Sequence, residues 1–143
     1  MGTANLDLFF YTLDKAHRLA KRMISNELKN SGLDLTADQW VLLCGISENS
    51  NQSQANLAND IFKDTASVTR ILDLLHEKDF VRRIPNHKDK RKSALKLTEA
   101  GKEALKRANA LVDEVRKKSL ARASENQIDT TIKTLNELIY EAT

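Results

Sequence analysis

Two short runs of helical period, "SQANLANDIF" at 53–62 and "ASVTRILDLLHEK" at 66–78, are separated by only "KDT". The first directs Leu57, Ala58 and Ile61 inward, the second Val68, Ile71, Leu72 and Leu75, positions that share one helical face. Ser53 is placed to cap the first helix, and Asp64 or Thr65 the second. The period then changes. "FVRRI" at 80–84 and "ALKLT" at 94–98 have strand character and flank "PNHKDKRKS", which makes a two-stranded hairpin with a basic tip. Few architectures accommodate two short helices, a tight break and then a hairpin.

Longer helices flank this block. Leu6, Phe9, Phe10, Leu13, Ala16, Ala20, Ile24 and Leu28 recur at helical spacing up to "NSG", where Gly32 can take a left-handed cap. In "LTADQW", Thr36 and Gln39 form a capping box and Leu35 with Trp40 a hydrophobic staple, opening a helix through Val41, Leu42, Leu43 and Ile46. Thr98 with Glu99 opens a long helix through Leu105, Leu111, Val112, Val115 and Leu120. A last one from about Glu125 carries Ile128, Ile132, Leu135 and Ile139. The fold class is therefore mostly α: a winged helix-turn-helix lobe with a small β-hairpin wing, plus N- and C-terminal helices.

At 143 residues, with 41% hydrophobic and 30% charged, the chain has the length and composition of one globular domain. Four Gly and one Pro agree with long regular elements. The longest apolar run, around "QWVLLCGI", is too short to span a bilayer, and the N-terminus has neither a signal-peptide pattern nor a myristoylation site. No membrane partner is expected. A lone Cys44 forms no internal disulfide, so a reducing cytoplasm is the default location.

The net charge of +3 hides an asymmetry. Between Arg82 and Lys96 seven cations face Asp89 alone, a local +6, which leaves −3 for the rest. A mildly acidic body with one basic segment is the electrostatic footprint of a phosphate-backbone partner; a solvated charged loop is the bland alternative. In a helix-turn-helix the second helix enters the major groove and its N-terminal residues meet base edges. Those residues here are Thr65, Ala66, Ser67, Thr69 and Arg70, small, polar or basic. Ser53 and Gln54, at the start of the preceding helix, join them as candidate DNA contacts, as do Lys88, Asp89, Lys90, Arg91 and Lys92 at the hairpin tip.

"LTADQW", "SQANLANDI", "TASVTRILDLLHEKDFVRR" and "DKRKSALKLTEAGK" resemble the corresponding blocks of MarR-family transcriptional regulators. The resemblance runs from the first helix to the last. Its most specific piece is the wing, Asp89-x-Arg91 followed by Leu95, Leu97, Thr98 and Gly101. It implies that Arg91 reaches the minor groove while Asp89 orients the tip. The family usually has Gly where Asp79 stands, at the end of the recognition helix. The resemblance also implies a homodimer, with 1–34 and 99–143 as dimerisation helices and 35–98 as the DNA-binding lobe of one MarR-like domain. The terminal helices independently hold more apolar positions than one small lobe can bury. The implied function is a sequence-specific regulator of transcription, usually a repressor, bound to a pseudo-palindromic operator on double-stranded DNA.

Family members are often released from DNA by small aromatic or phenolic acids bound between the dimer helices and the lobe. Tyr11, His17, Arg18 and Trp40 are the candidates here; Tyr11 and Trp40 can equally be core or interface residues, and His17 and Arg18 a solvated face. Cys44 lies in an apolar stretch with no adjacent cation, which favours a buried structural thiol over a redox sensor. His17, His76 and His87 lie on three elements without ligand spacing, so no metal is expected, nor any other cofactor. No nucleophile–base pair or Gly-rich phosphate loop supports an enzyme. A winged-helix module that binds protein rather than DNA remains the rival reading, against which the basic wing argues.

Overall fold

The computed structural model describes residues 2–48, 53–61, 64–86, 88–89 and 93–143, with the backbone alone at residue 60. Six helices and one hairpin follow in chain order: α1 Thr3–Asn30, α2 Ala37–Glu48, α3 Gln54–Asp60, α4 Thr65–Glu77, β1 Val81–Ile84, β2 Ala94–Leu97, α5 Glu99–Ser119 and α6 Glu125–Ala142. The mostly helical fold class with a two-stranded wing is as the sequence pattern predicts.

Local chemistry accounts for most boundaries. Thr36 and Gln39 form the expected capping box: Thr36 N–H donates to Gln39 Oε1 and Gln39 N–H to Thr36 Oγ1, both at 3.1 Å. Ser53, Asp64, Thr98 and Ser124 each accept a backbone N–H from the first turn of α3, α4, α5 and α6. The cap of α4 is Asp64, and Thr65 is already helical. Two helix ends close in the same way. After α1, Gly32 adopts φ +82°, with Gly32 N–H bonded to Lys29 O and Leu33 N–H to Leu28 O. After α4, Asp79 takes the equivalent place at φ +59°, with Asp79 N–H on His76 O and Phe80 N–H on Leu75 O. Both are Schellman motifs. Asp therefore adopts the left-handed turn that glycine usually makes there.

The core belongs to the lobe. Leu35, Leu42, Leu43 and Ile46 meet Leu57 from α3, Val68, Leu72 and Leu75 from α4, and Val81, Leu95 and Leu97 from the hairpin, all buried. Each large member removes enough apolar surface from water to contribute roughly 1.5–3 kcal/mol. The strands pair antiparallel with Val81 opposite Leu97 and Arg83 opposite Leu95, and Ser53 bridges to Ala94, fastening the entry of α3 to β2. The first two-thirds of α5 closes the core with Ala104, Leu105, Ala108 and Val112.

The terminal helices behave differently. Within α1 only Ile24 and Leu28 are buried, and α6 buries none of its residues. Leu6, Phe10, Tyr11, Ile132, Ile139 and Tyr140 are exposed, Tyr140 at 79%. These are more exposed large apolar side chains on two helices than a solitary domain usually leaves in water.

Candidate nucleic-acid interface

The first turn of α4 is organised by Asp64. Its Oδ1 accepts Ser67 N–H at 2.8 Å and its Oδ2 accepts the Ser67 hydroxyl at 2.7 Å. These bonds, the side-chain one foremost, hold the Asp64 carboxyl below the usual carboxylate range. The negative charge complements the helix dipole. It also makes the helix end itself a poor anion site, so contact with a polyanion falls to the side chains around it.

Those side chains are presented unevenly. Thr65, Ala66 and Arg70 are exposed, whereas Ser67 and Thr69 are half-buried. The Ser67 hydroxyl proton is committed to Asp64, leaving an oxygen that accepts weakly from Arg70 Nη2 at 3.4 Å. Thr69 Oγ1 donates to Thr65 O at 2.8 Å and accepts from Gln54 Nε2. Gln54 is therefore engaged in joining α3 to α4, and Ser53 caps α3 while bridging to β2. Gln54 and Thr69 form the seam between the two helices, while Ser53 ties the start of α3 to β2. Arg70 makes no ion pair among the described residues, so its guanidinium faces solvent with its donors nearly free.

The hairpin is fastened to α4 by an ion pair that no local spacing announces. Arg83 Nη2 lies 3.1 Å from Asp73 Oδ1, while Arg82 is 3.8 Å from Asp79. At the start of the wing loop Lys88 N–H donates to Asn86 Oδ1 at 3.0 Å, closing an Asx turn; Lys88 is exposed and Asp89 half-buried. His87, Lys90, Arg91 and Lys92 lie outside the described residues.

Away from this face, a cleft of about 370 Å³ separates α1 from α2 and brings two of the four effector candidates together, His17 and Trp40. Lys21, Asp38, Val41 and Ile61 also line it, and Lys21 Nζ pairs with Asp38 Oδ1 at 2.7 Å. Neither Lys21 nor Asp38 stood out in the sequence, since they lie on different helices. Tyr11 and Arg18 do not line this cleft: Tyr11 is 59% exposed with Lys15 over its ring, and Arg18 pairs with Asp14 at 2.6 Å.

Behind Trp40, its Nε1–H donates to Asn109 Oδ1 at 2.9 Å, and the Arg116 guanidinium lies 5.0 Å from the ring centre. Cys44 shares that Asn109 oxygen at 3.8 Å. The sequence suggested a buried thiol remote from any cation; the fold leaves it half-buried and brings Arg116 near. Burial, aided by Glu48, outweighs Arg116 and pushes the thiol above its ordinary value. The described residues contain no His, Cys, Asp or Glu cluster able to hold a metal ion.

Residues 35–93 match the model of the MarR family. The fold is similar to that of a cysteine-to-serine variant of E. coli MarR complexed with operator DNA, with a TM-score of 0.85 at 25% identity over 94% of this chain and 95% of that one. BldR, a transcriptional regulator from Sulfolobus solfataricus, matches at 0.85 and 25% identity over 99% of both chains. Wild-type E. coli MarR in its apo form matches at 0.75 and 25% identity, over 96% and 97%. The order of the elements, the wing and a likeness spanning nearly the full chain agree on one conclusion: the chain has the fold of, and is similar to, the winged helix-turn-helix transcriptional regulators of the MarR family.

Proposed function

We propose that this chain binds a pseudo-palindromic operator as a homodimer and represses transcription by occluding the promoter. The carrying observation is the exposed first turn of α4, where Thr65, Ala66 and Arg70 are free of burial beside a wing held by Asp73–Arg83. Thr65, Ala66, Ser67, Thr69 and Arg70 meet base edges and nearby phosphates, Arg70 being able to bond guanine in bidentate fashion. Ser53 and Gln54 abut the backbone. Lys88, Lys90 and Lys92 neighbour phosphates, while Arg91 enters the minor groove under the guidance of Asp89.

Residues 35–98 are the DNA-binding lobe in this reading, and 1–34 with 99–143 form the dimer region. Support comes from the unburied apolar face of α6 and the exposed first half of α1, which a second copy would cover. A small aromatic or phenolic acid in the α1–α2 cleft would release the operator. Trp40 offers a ring to stack on and His17 a polar edge, and a carboxylate could compete with Asp38 for Lys21.

Selection of bound sequences from a random DNA pool tests the proposal. It should return two inverted half-sites, and aromatic acids should then weaken binding to the selected duplex. Retention on heparin without any enriched sequence would instead indicate a basic module with no operator.

A further inference from the structure

One hydroxyl joins the end of the recognition helix to the start of α5. Thr98 Oγ1 accepts Gly101 N–H at 2.9 Å as the N-cap of α5 and donates to Asp79 O at 2.5 Å in the turn that ends α4. Thr98 N–H bonds Phe80 O at 3.1 Å in the same turn. The contact is close enough to exclude a side chain at position 101, where a Cβ would stand 2.1 Å from Phe80 O. Asp79 holds its left-handed conformation at this point, and its carbonyl is the acceptor. The turn that closes α4 and the N-cap of α5 are thus joined through one residue.

The consequence is one of leverage. α5 runs 21 residues from this joint toward Leu120, which is exposed beside the unburied α6. At 1.5 Å per residue that is an arm of roughly 30 Å, so a swing of about 10° moves its far end by about 5 Å. One base-pair step along DNA is about 3.4 Å. The joint sets this angle together with Ala104, Leu105, Ala108 and Val112, which pack α5 onto the lobe, and the angle bears on how far apart two recognition helices sit once α5 and α6 meet a second copy.

We infer that Thr98 is a positioning residue that sets the half-site spacing of the operator, by locking the turn at Asp79–Phe80 to the first turn of α5. The inference rests on the homodimeric operator reading above. Thr98 touches no DNA in this account; it acts through the angle between α4 and α5.

Three variants separate its two bonds. Thr98→Ser keeps donor and acceptor. Thr98→Asp keeps the cap, since a carboxylate is a good N-cap, but an ionised carboxylate has no proton to give Asp79 O. Thr98→Val loses both. Full-length proteins are titrated against the selected operator and against versions with one base pair inserted or removed between the half-sites, with thermal melting in parallel. Wild type and Thr98→Ser should prefer the selected spacing by the same ratio. Thr98→Asp should lower that ratio by roughly 2- to 10-fold, the range for one lost hydrogen bond, while melting close to wild type. Thr98→Val should lower both the ratio and the melting temperature. If Thr98→Asp keeps the wild-type ratio, or weakens binding equally at all spacings, the inference is overturned. A wild type that selects no paired half-sites would remove the operator reading itself, and this inference with it.

Discussion

Arg83 Nη2 donates to Asp73 Oδ1 at 3.1 Å, joining the first wing strand to the recognition helix. The side chains are 41% and 54% exposed, so the pair adds no more than about 1 kcal/mol to stability. Its value is geometric, because it ties β1 to α4. Asp73→Asn removes a negative charge near DNA, and charge alone would tighten binding. Operator affinity is expected to fall instead, with melting nearly unchanged. Fluorescence anisotropy on a double-mutant cycle with Arg83→Gln checks this; additive losses from the two substitutions would show that the pair does not act as a unit.

The wing tip should divide by chemistry. Removing Lys88 is expected to weaken binding to all sequences alike and to flatten the slope of log affinity against log salt by about 1. Arg91→Ala should cost about 1–3 kcal/mol, with a greater loss on A·T-rich flanks, where the minor groove is narrow. A salt series on one operator with two kinds of flank distinguishes the roles.

Deleting residues 125–143 removes a helix that buries nothing within its own chain, so the lobe should stay folded. Operator affinity should nevertheless collapse, because in the proposed dimer each lobe reads one half-site and the two are spaced about 34–36 Å apart. Light scattering and circular dichroism on the truncated chain, beside DNA titration, check the three parts. A monomer that binds the full site as tightly as wild type would refute the dimer.

Burial raises the Cys44 thiol above its ordinary value of 9.0, so the protonated, unreactive form dominates at neutral pH. Alkylation by iodoacetamide should be slower at pH 7 than that of an unburied cysteine, and its rate should reach half its maximum at a higher pH than that of such a cysteine. Cys44→Ser should leave operator affinity and its response to peroxide unchanged. Release of wild type but not of the variant by peroxide would make the thiol a sensor.

Asp79 closes α4 at φ +59°, a conformation that costs most side chains about 1–2 kcal/mol. Asp79→Gly relieves that strain but adds freedom to the unfolded chain. Because Asp tolerates the region better than most residues, the net gain should be below 1 kcal/mol. Gly101→Ala should be far more damaging, since its methyl meets the Phe80 carbonyl. Urea denaturation measures both.

What the sequence determined by itself were features with a local grammar. Apolar residues three and four apart drew α1, α4, α5 and α6, and the change to strand character drew the hairpin. Thr36 with Gln39, Ser53, Thr98 and the pair Asp64 or Thr65 marked helix starts, because a cap bonds a residue two or three places on and both partners stand in one short stretch; the structure chose Asp64. The basic loop was equally plain, being contiguous. Only the tertiary structure decided that Asp73 meets Arg83, that Thr98 serves the turn at Asp79 as well as its own helix, and that Gly101 stands against Phe80. It also decided that Lys21 and Asp38 pair in a cleft with His17 and Trp40, and that Arg116 approaches Cys44. These partners belong to different elements, and their meeting depends on how helices cross once the core of Leu42, Leu57, Leu72 and Leu95 has packed. Periodicity records which face of a helix turns inward, not which residue of another element it will find there.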